Sequence, residues 1–326
     1  MYKVSEGAVG WNSVTAELHS SKLPLAQWFK SVLPRRDGVI ASFRATVKER
    51  CIEPPADVPG ATAGAAFDLL VRRLLGSSVC SNSMAGWIYA FCPCRAWNEV
   101  AHELLTSVGT HVGVGEHEQA SGECPERLIR ECWSVALFVE LVRGVRLDRS
   151  ALASLGESPT LDDVLGLAPV AAIDDIQALL RRFSTVLRPL VNSRRGELVT
   201  GPAFSFKLRG DADLIKGTTL FEIKAMVHRR KRDGTPRYSL DSRTIYQVVA
   251  YSLLAQEKFK VDEIVLFNAR YAHAYTWRLD ALLHEMSGGA GDAESLSASL
   301  DLFLTNPLDP RVPLAAREAA ARALES

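Results

Sequence analysis

Residues 201–251 read GPAFSFKLRGDADLIKGTTLFEIKAMVHRRKRDGTPRYSLDSRTIYQVVAY. Three pieces follow one another. An acidic strand over 211–215 runs into the turn Lys216-Gly217-Thr218, a second strand spans 220–225, and a helix at about 242–257 carries Gln247 and Tyr251. Side chains alternate across a strand, so Glu222 and Lys224 share one face while Phe221 and Ile223 take the other. The short turn with Gly217 suits a hairpin of two or three residues. Folding the chain there brings Asp213 beside Glu222, and the apolar face fixes the register.

The expectation is two carboxylates and an ammonium on one sheet face. Close carboxylates repel unless a cation lies between them, and oxygen donors suit Mg²⁺ or Mn²⁺. A lysine beside such an ion holds or deprotonates a water, or steadies negative charge developing on phosphate. Gln247, Tyr251 and Leu254 fall at i, i+4 and i+7 on one helix stripe. A plainer alternative also stands. Glu222 and Lys224 form a solvated pair worth under about 1 kcal/mol, and Gln247 is a satisfied glutamine on a packing helix.

The order Gly210-Asp211-Ala212-Asp213, then Glu222-Ile223-Lys224, then Gln247-Val248-Val249-Ala250-Tyr251 resembles the PD-(D/E)XK nuclease superfamily. The similarity is to its RecB-like branch, which includes lambda exonuclease and the CRISPR-adaptation nucleases. The resemblance covers roughly residues 200–280. It implies metal ligation by Asp213 and Glu222, catalysis by Lys224, and a site lined by Gln247 and Tyr251. Ala212 stands where the superfamily name has Pro, and Asp211 is a second candidate acid for the metal. The branch also carries Gly-x-x-x-His on its first core helix. Here Gly64-Ala-Ala-Phe-Asp68 puts Asp68 in the His position, as a further candidate metal ligand or an exposed helix acid.

The remainder of the chain bounds this reading. Of 326 residues, 47% are apolar and 23% charged, which fits a globular protein with a substantial core. Lys+Arg and Asp+Glu both number 38, so no overall basic charge marks a nucleic-acid binder. Residues 205–243, however, hold ten Lys/Arg against five Asp/Glu. Among them Arg229, Arg230, Lys231 and Arg232 form a basic tip ahead of Asp233-Gly234 that is either a solvated turn or a phosphate-contacting loop. The N-terminal residues lack the apolar core of a signal peptide, and no apolar run reaches the roughly 18 residues of a membrane helix. A cytoplasmic location without membrane association is expected. The six cysteines at 51, 80, 92, 94, 124 and 132 read as free thiols by default.

The predicted fold class is α/β, a restriction-endonuclease-like mixed sheet core with a large helical N-terminal part. Residues 1–60 read as an irregular segment, with a short amphipathic piece at 25–33 ending at Pro34 and a basic, strand-like piece at 39–50. Residues 61–195 read as helices packed on the core, with Pro93 as a kink or a helix start. The core occupies 196–280, and 281–326 form helices and a tail. The expected function is a Mg²⁺- or Mn²⁺-dependent nuclease, with DNA favoured over RNA, in DNA maintenance or defence against foreign DNA. A protein partner such as a helicase or defence-system component accompanies that expectation. The alternative is a catalytically silent nucleic-acid-binding or helical interaction protein that retains the fold.

Overall fold

The computed structural model describes residues 11–47, 51–76, 82–110, 123–204, 207–210, 212–227, 229–230, 232, 234, 236–238 and 240–324; the side chains at 82–84, 110, 229, 230, 236 and 237 lie outside that description. The architecture is mixed α/β. Strands β1 (Leu198–Thr200), β2 (Leu214–Lys216), β3 (Thr219–Lys224), β6 (Glu263–Asn268) and β7 (His273–Arg278) form a sheet in the order β1-β2-β3-β6-β7. A separate ribbon pairs β4 (Arg229–Arg230) with β5 (Pro236–Arg237).

The β2–β3 hairpin closes through Gly217 and Thr218, with Lys216 opposite Thr219 and Leu214 opposite Phe221. Gly217 sits at φ 59°, a left-handed conformation that disfavours a Cβ. The Arg195 carbonyl also packs where that Cβ would stand. Strands β3 and β6 run parallel, so the chain must cross over between them, and it does so through a helix, Ser242–Leu254. Asp241 caps that helix, its side chain accepting from the Thr244 N–H at 2.7 Å.

Fifteen α-helices among the described residues are labelled in chain order. They include α1 (Val14–Glu17), α2 (Pro24–Val32), α3 (Arg36–Thr46), α4 (Gly60–Leu74), α5 (Asn82–Phe91), α6 (Arg95–Thr110), α7 (Glu126–Val142), α8 (Leu161–Gly166), α9 (Val170–Arg182) and α10 (Arg188–Ser193). The crossover helix is α11, followed by α12 (Gln256–Phe259), α13 (Leu279–Ser287), α14 (Ala293–Thr305) and α15 (Leu314–Leu324). On one face of the sheet Leu214, Phe221, Ile223, Val265 and Phe267 join a core with α4, α7 and α9. On the other, Ile215, Leu220, Ile264, Leu266 and Trp277 pack against α1–α3, α11, α13 and α14. Burial on both faces explains why β3 and β6 read as nearly continuous apolar runs.

The N-terminal segment departs from expectation. Instead of an irregular stretch, its described residues contribute three helices, with Leu25, Trp28, Phe29, Val39 and Phe43 buried. Residues 36–46 are helical rather than strand-like because Val39 and Phe43 are one helical turn apart and enter the core together. Pro93 separates α5 from α6, as its missing N–H requires. Helix α9 continues through a π turn, Phe183–Leu187, into α10. That turn ends one residue before Arg188-Pro189 opens the next helix at its N-terminal turn, where a proline lacking an N–H is accommodated.

One buried ion pair ties the layers together. Arg270, after β6, donates to both carboxylate oxygens of Asp175 on α9, at 2.8 and 2.7 Å. Its Nε donates to the Ala225 carbonyl at 2.9 Å. The helical layer is thereby fastened to the end of β3, where Lys224 lies.

Candidate active site

The hairpin register continued one step past Leu214↔Phe221 sets Asp213 opposite Glu222. Asp213 is held from two sides. Its Oδ2 accepts from the Ile223 N–H at 2.6 Å, and its backbone carbonyl accepts from the Gly201 N–H at 2.9 Å. Glu222 is buried, at 3% exposure, although it sits on a charged face. Lys224 Nζ donates to Glu222 Oε1 at 2.6 Å and to Gln247 Oε1 at 3.3 Å.

The Gln247 amide is oriented by what surrounds it. Its Nε2 donates to the Tyr251 hydroxyl at 2.9 Å and to Thr15 Oγ1 at 3.3 Å. With both N–H groups directed at hydroxyl oxygens, the carbonyl oxygen is left for the lysine. Gly210 has a steric role in the same spot. A Cβ there would stand 3.0 Å from both the Tyr251 ring and the Val14 side chain.

Helix α4 brings Asp68 and Arg72 to the same place. Arg72 Nη2 lies 2.8 Å from Asp68 Oδ2 and 3.9 Å from Asp213 Oδ1. Asp68 Oδ1 is buried without a hydrogen-bond partner. Burial, then the neighbouring Glu222 and Asp68 carboxylates, push the Asp213 carboxyl well above the usual range; Lys224 and Arg72 only partly counter this. Burial alone would lower Lys224, but Glu222 and Asp213 outweigh it and raise its pKa. As folded, Lys224 is an ammonium.

These groups line a cleft of about 680 Å³. The sequence-predicted residues Asp213, Glu222, Lys224, Gln247, Tyr251 and Asp68 all meet in it. Asp211 and Lys231 lie outside the described residues, as do the Arg229 and Arg230 side chains. Arg232 is exposed and is not part of the cleft lining. Sequence reasoning missed Arg72, Thr15, Arg143, Arg209 and Arg243, all cleft-lining. Arg72 had a readable signal, four residues after Asp68 on one helix. Thr15, more than two hundred positions from Gln247, had none.

Among the described residues no three His, Cys, Asp or Glu side chains are gathered in the arrangement of a ready metal site. The donor chemistry nonetheless fits a hard divalent cation. Three carboxylates crowd one another, and a buried Asp68 oxygen lacks a partner. In the folded chain Arg72 and Lys224 supply the compensating charge. None of the described cysteines lines the cleft. Cys132 is buried, burial pushes Cys92 up to about 11, and Cys80 lies outside the described residues.

No helix among the described residues is long and apolar enough to cross a membrane. In comparisons with known proteins, no family model, no curated protein and no solved structure matches this chain.

Proposed function

We propose that this protein is a divalent-metal-dependent nuclease hydrolysing phosphodiester bonds, DNA in preference to RNA, on a restriction-endonuclease-like core. The observation that carries the reading is the convergence of Asp213, Glu222, Lys224 and Gln247 in one cleft, from a hairpin and the helix that follows it. Asp213 and Glu222, with Asp68 beside them, would hold Mg²⁺ or Mn²⁺. A bound ion would polarise the phosphodiester and lower the pKa of an attacking water. Lys224 spends two of its three donors on Glu222 and Gln247. The third is left for a substrate oxygen, where the ammonium offsets charge developing around phosphorus. Gln247, fixed by Tyr251 and Thr15, holds the lysine in place. A role in DNA maintenance or defence, with a helicase-like or defence-system partner, rests on family-level analogy.

A second reading is a catalytically silent nucleic-acid-binding module. It is favoured by the way Arg72 and Lys224 already neutralise the carboxylates. Incubating the protein with linear and circular DNA in Mg²⁺ or Mn²⁺, beside a Lys224→Ala control, separates the two. Cleavage abolished in the control supports the nuclease. Binding without cleavage by the wild type supports the silent module, and cleavage that survives in Lys224→Ala removes the lysine from the chemistry.

A further inference from the structure

We infer that the mouth of the cleft grips the phosphate backbone of a nucleic-acid strand through Arg143, Arg209 and Arg243, without reading its bases. This inference rests on the nuclease reading of the cleft floor and names the surface that would present the strand to it.

The three arginines come from separate elements. Arg143 is the C-cap of α7, Arg209 precedes Gly210 in the loop leading to β2, and Arg243 lies in the first turn of α11. All three are exposed and line the cleft. Tertiary folding therefore collects three arginines around one opening. Backbone contacts anchor the Arg209 position, since the Val14 N–H donates to the Arg209 carbonyl at 2.8 Å and Ser13 bridges to Arg209.

None of the three forms an ion pair with an acid among the described residues. Exposed arginines elsewhere do, as in Arg95–Glu99 at 2.8 Å, Arg146–Asp148 at 2.8 Å and Arg311–Asp309 at 2.9 Å. The cleft acids are committed to other partners. Glu222 pairs with Lys224, Asp68 with Arg72, Asp213 accepts the Ile223 N–H, and Asp241 caps α11. The rim charge is consequently available to a ligand from outside. Guanidinium forks match phosphate oxygens in pairs of parallel hydrogen bonds. Several such forks around one opening suit a chain of phosphates better than a single one.

Base recognition has no comparable support. Among the described residues that line the cleft Tyr251 is the one aromatic, and it is 4% exposed. It offers no open ring face for a base to stack on, as strand-binding proteins use. Contacts to phosphate position a strand without specifying its sequence.

The test is fluorescence anisotropy with a labelled short DNA duplex and its single strand, in chelator so that nothing is cut, over a salt series. Arg143→Ser, Arg209→Ser and Arg243→Ser should each flatten log affinity against log salt. The expected change is about 0.9 per lost contact for duplex and about 0.7 for single strand. Arg→Lys at the same positions should keep the slope, which controls for misfolding. An abasic strand of equal length should compete within about tenfold of the ordinary strand. Wild-type slopes in all three serine variants, or failure of the abasic strand to compete, would overturn the inference. If the wild type cleaves DNA yet the slopes do not move, this inference fails and the nuclease reading stands. If the slopes move but no DNA is cut, the nuclease reading fails and the strand grip stands.

Discussion

Arg72 sits 2.8 Å from Asp68 on the helix they share. The same guanidinium is 3.9 Å from Asp213, so one side chain bridges an acid on α4 and an acid on the hairpin. Any cation entering between these acids competes with it. Arg72→Ala should tighten Mn²⁺ binding, by about tenfold or ~1.4 kcal/mol. Titration calorimetry measures this directly, and weaker binding in the variant would mean that Arg72 organises the carboxylates rather than competing for them.

Gln247→Ala should slow DNA cleavage by about 1–3 kcal/mol in activation free energy, the range for one well-placed polar contact. The melting temperature should barely change, because alanine is the better helix former. Thr15→Val should act in the same direction but more weakly, since the amide loses one of its two hydroxyl acceptors. Initial rates and melting curves on the same preparations decide the matter. A loss of rate that simply tracks a loss of stability would reduce both residues to packing roles.

Asp213 gives the metal-free protein a pH dependence of known sign. Its carboxyl pKa is raised in the fold by burial and by Glu222 and Asp68. Its stabilising contribution is therefore fully present below the unfolded carboxylate value, near 3.9, and is lost as pH rises through the folded value. Asp213→Asn should remove that loss. Thermal melts in chelator from acid to mildly alkaline pH should show the variant gaining on the wild type as pH increases. Parallel profiles for the two proteins would show that Asp213 is not strained by its neighbours.

The Arg270–Asp175 pair carries a stability prediction independent of function. Both side chains are almost fully buried. Asp175→Ala leaves a guanidinium uncompensated in the core and should cost about 3–5 kcal/mol. Replacing both residues by apolar side chains of similar volume should recover much of that. Denaturant titration of the single and double variants tests it; equal losses in both would point to lost backbone contacts of Arg270 rather than to the buried charge.

Much of the core was legible because its signals are local. Alternation along residues 219–224 separated Phe221 and Ile223 from Glu222 and Lys224. The glycine turn paired the strands, and the helix expected at about 242–257 supplies the crossover between the parallel strands β3 and β6. Those local rules brought Asp213, Glu222 and Lys224 together without any long-range knowledge. The N-terminal helices were harder to read. A stretch such as 39–47, with four β-branched residues in nine, has weak helical preference, and burial of Val39 and Phe43 against distant elements decided its conformation.

The sequence alone determined which residue types share a face of the hairpin, which turn joins its strands, and the spacing of Gln247 and Tyr251 on their helix. Only the tertiary structure decided what those groups meet. It placed Thr15 on the Gln247 amide, Arg72 between two acids, and Arg143, Arg209 and Arg243 around one opening. The reason is physical: strand alternation and helical periodicity act over a few residues, whereas these contacts join segments brought together only when both faces of the sheet are buried.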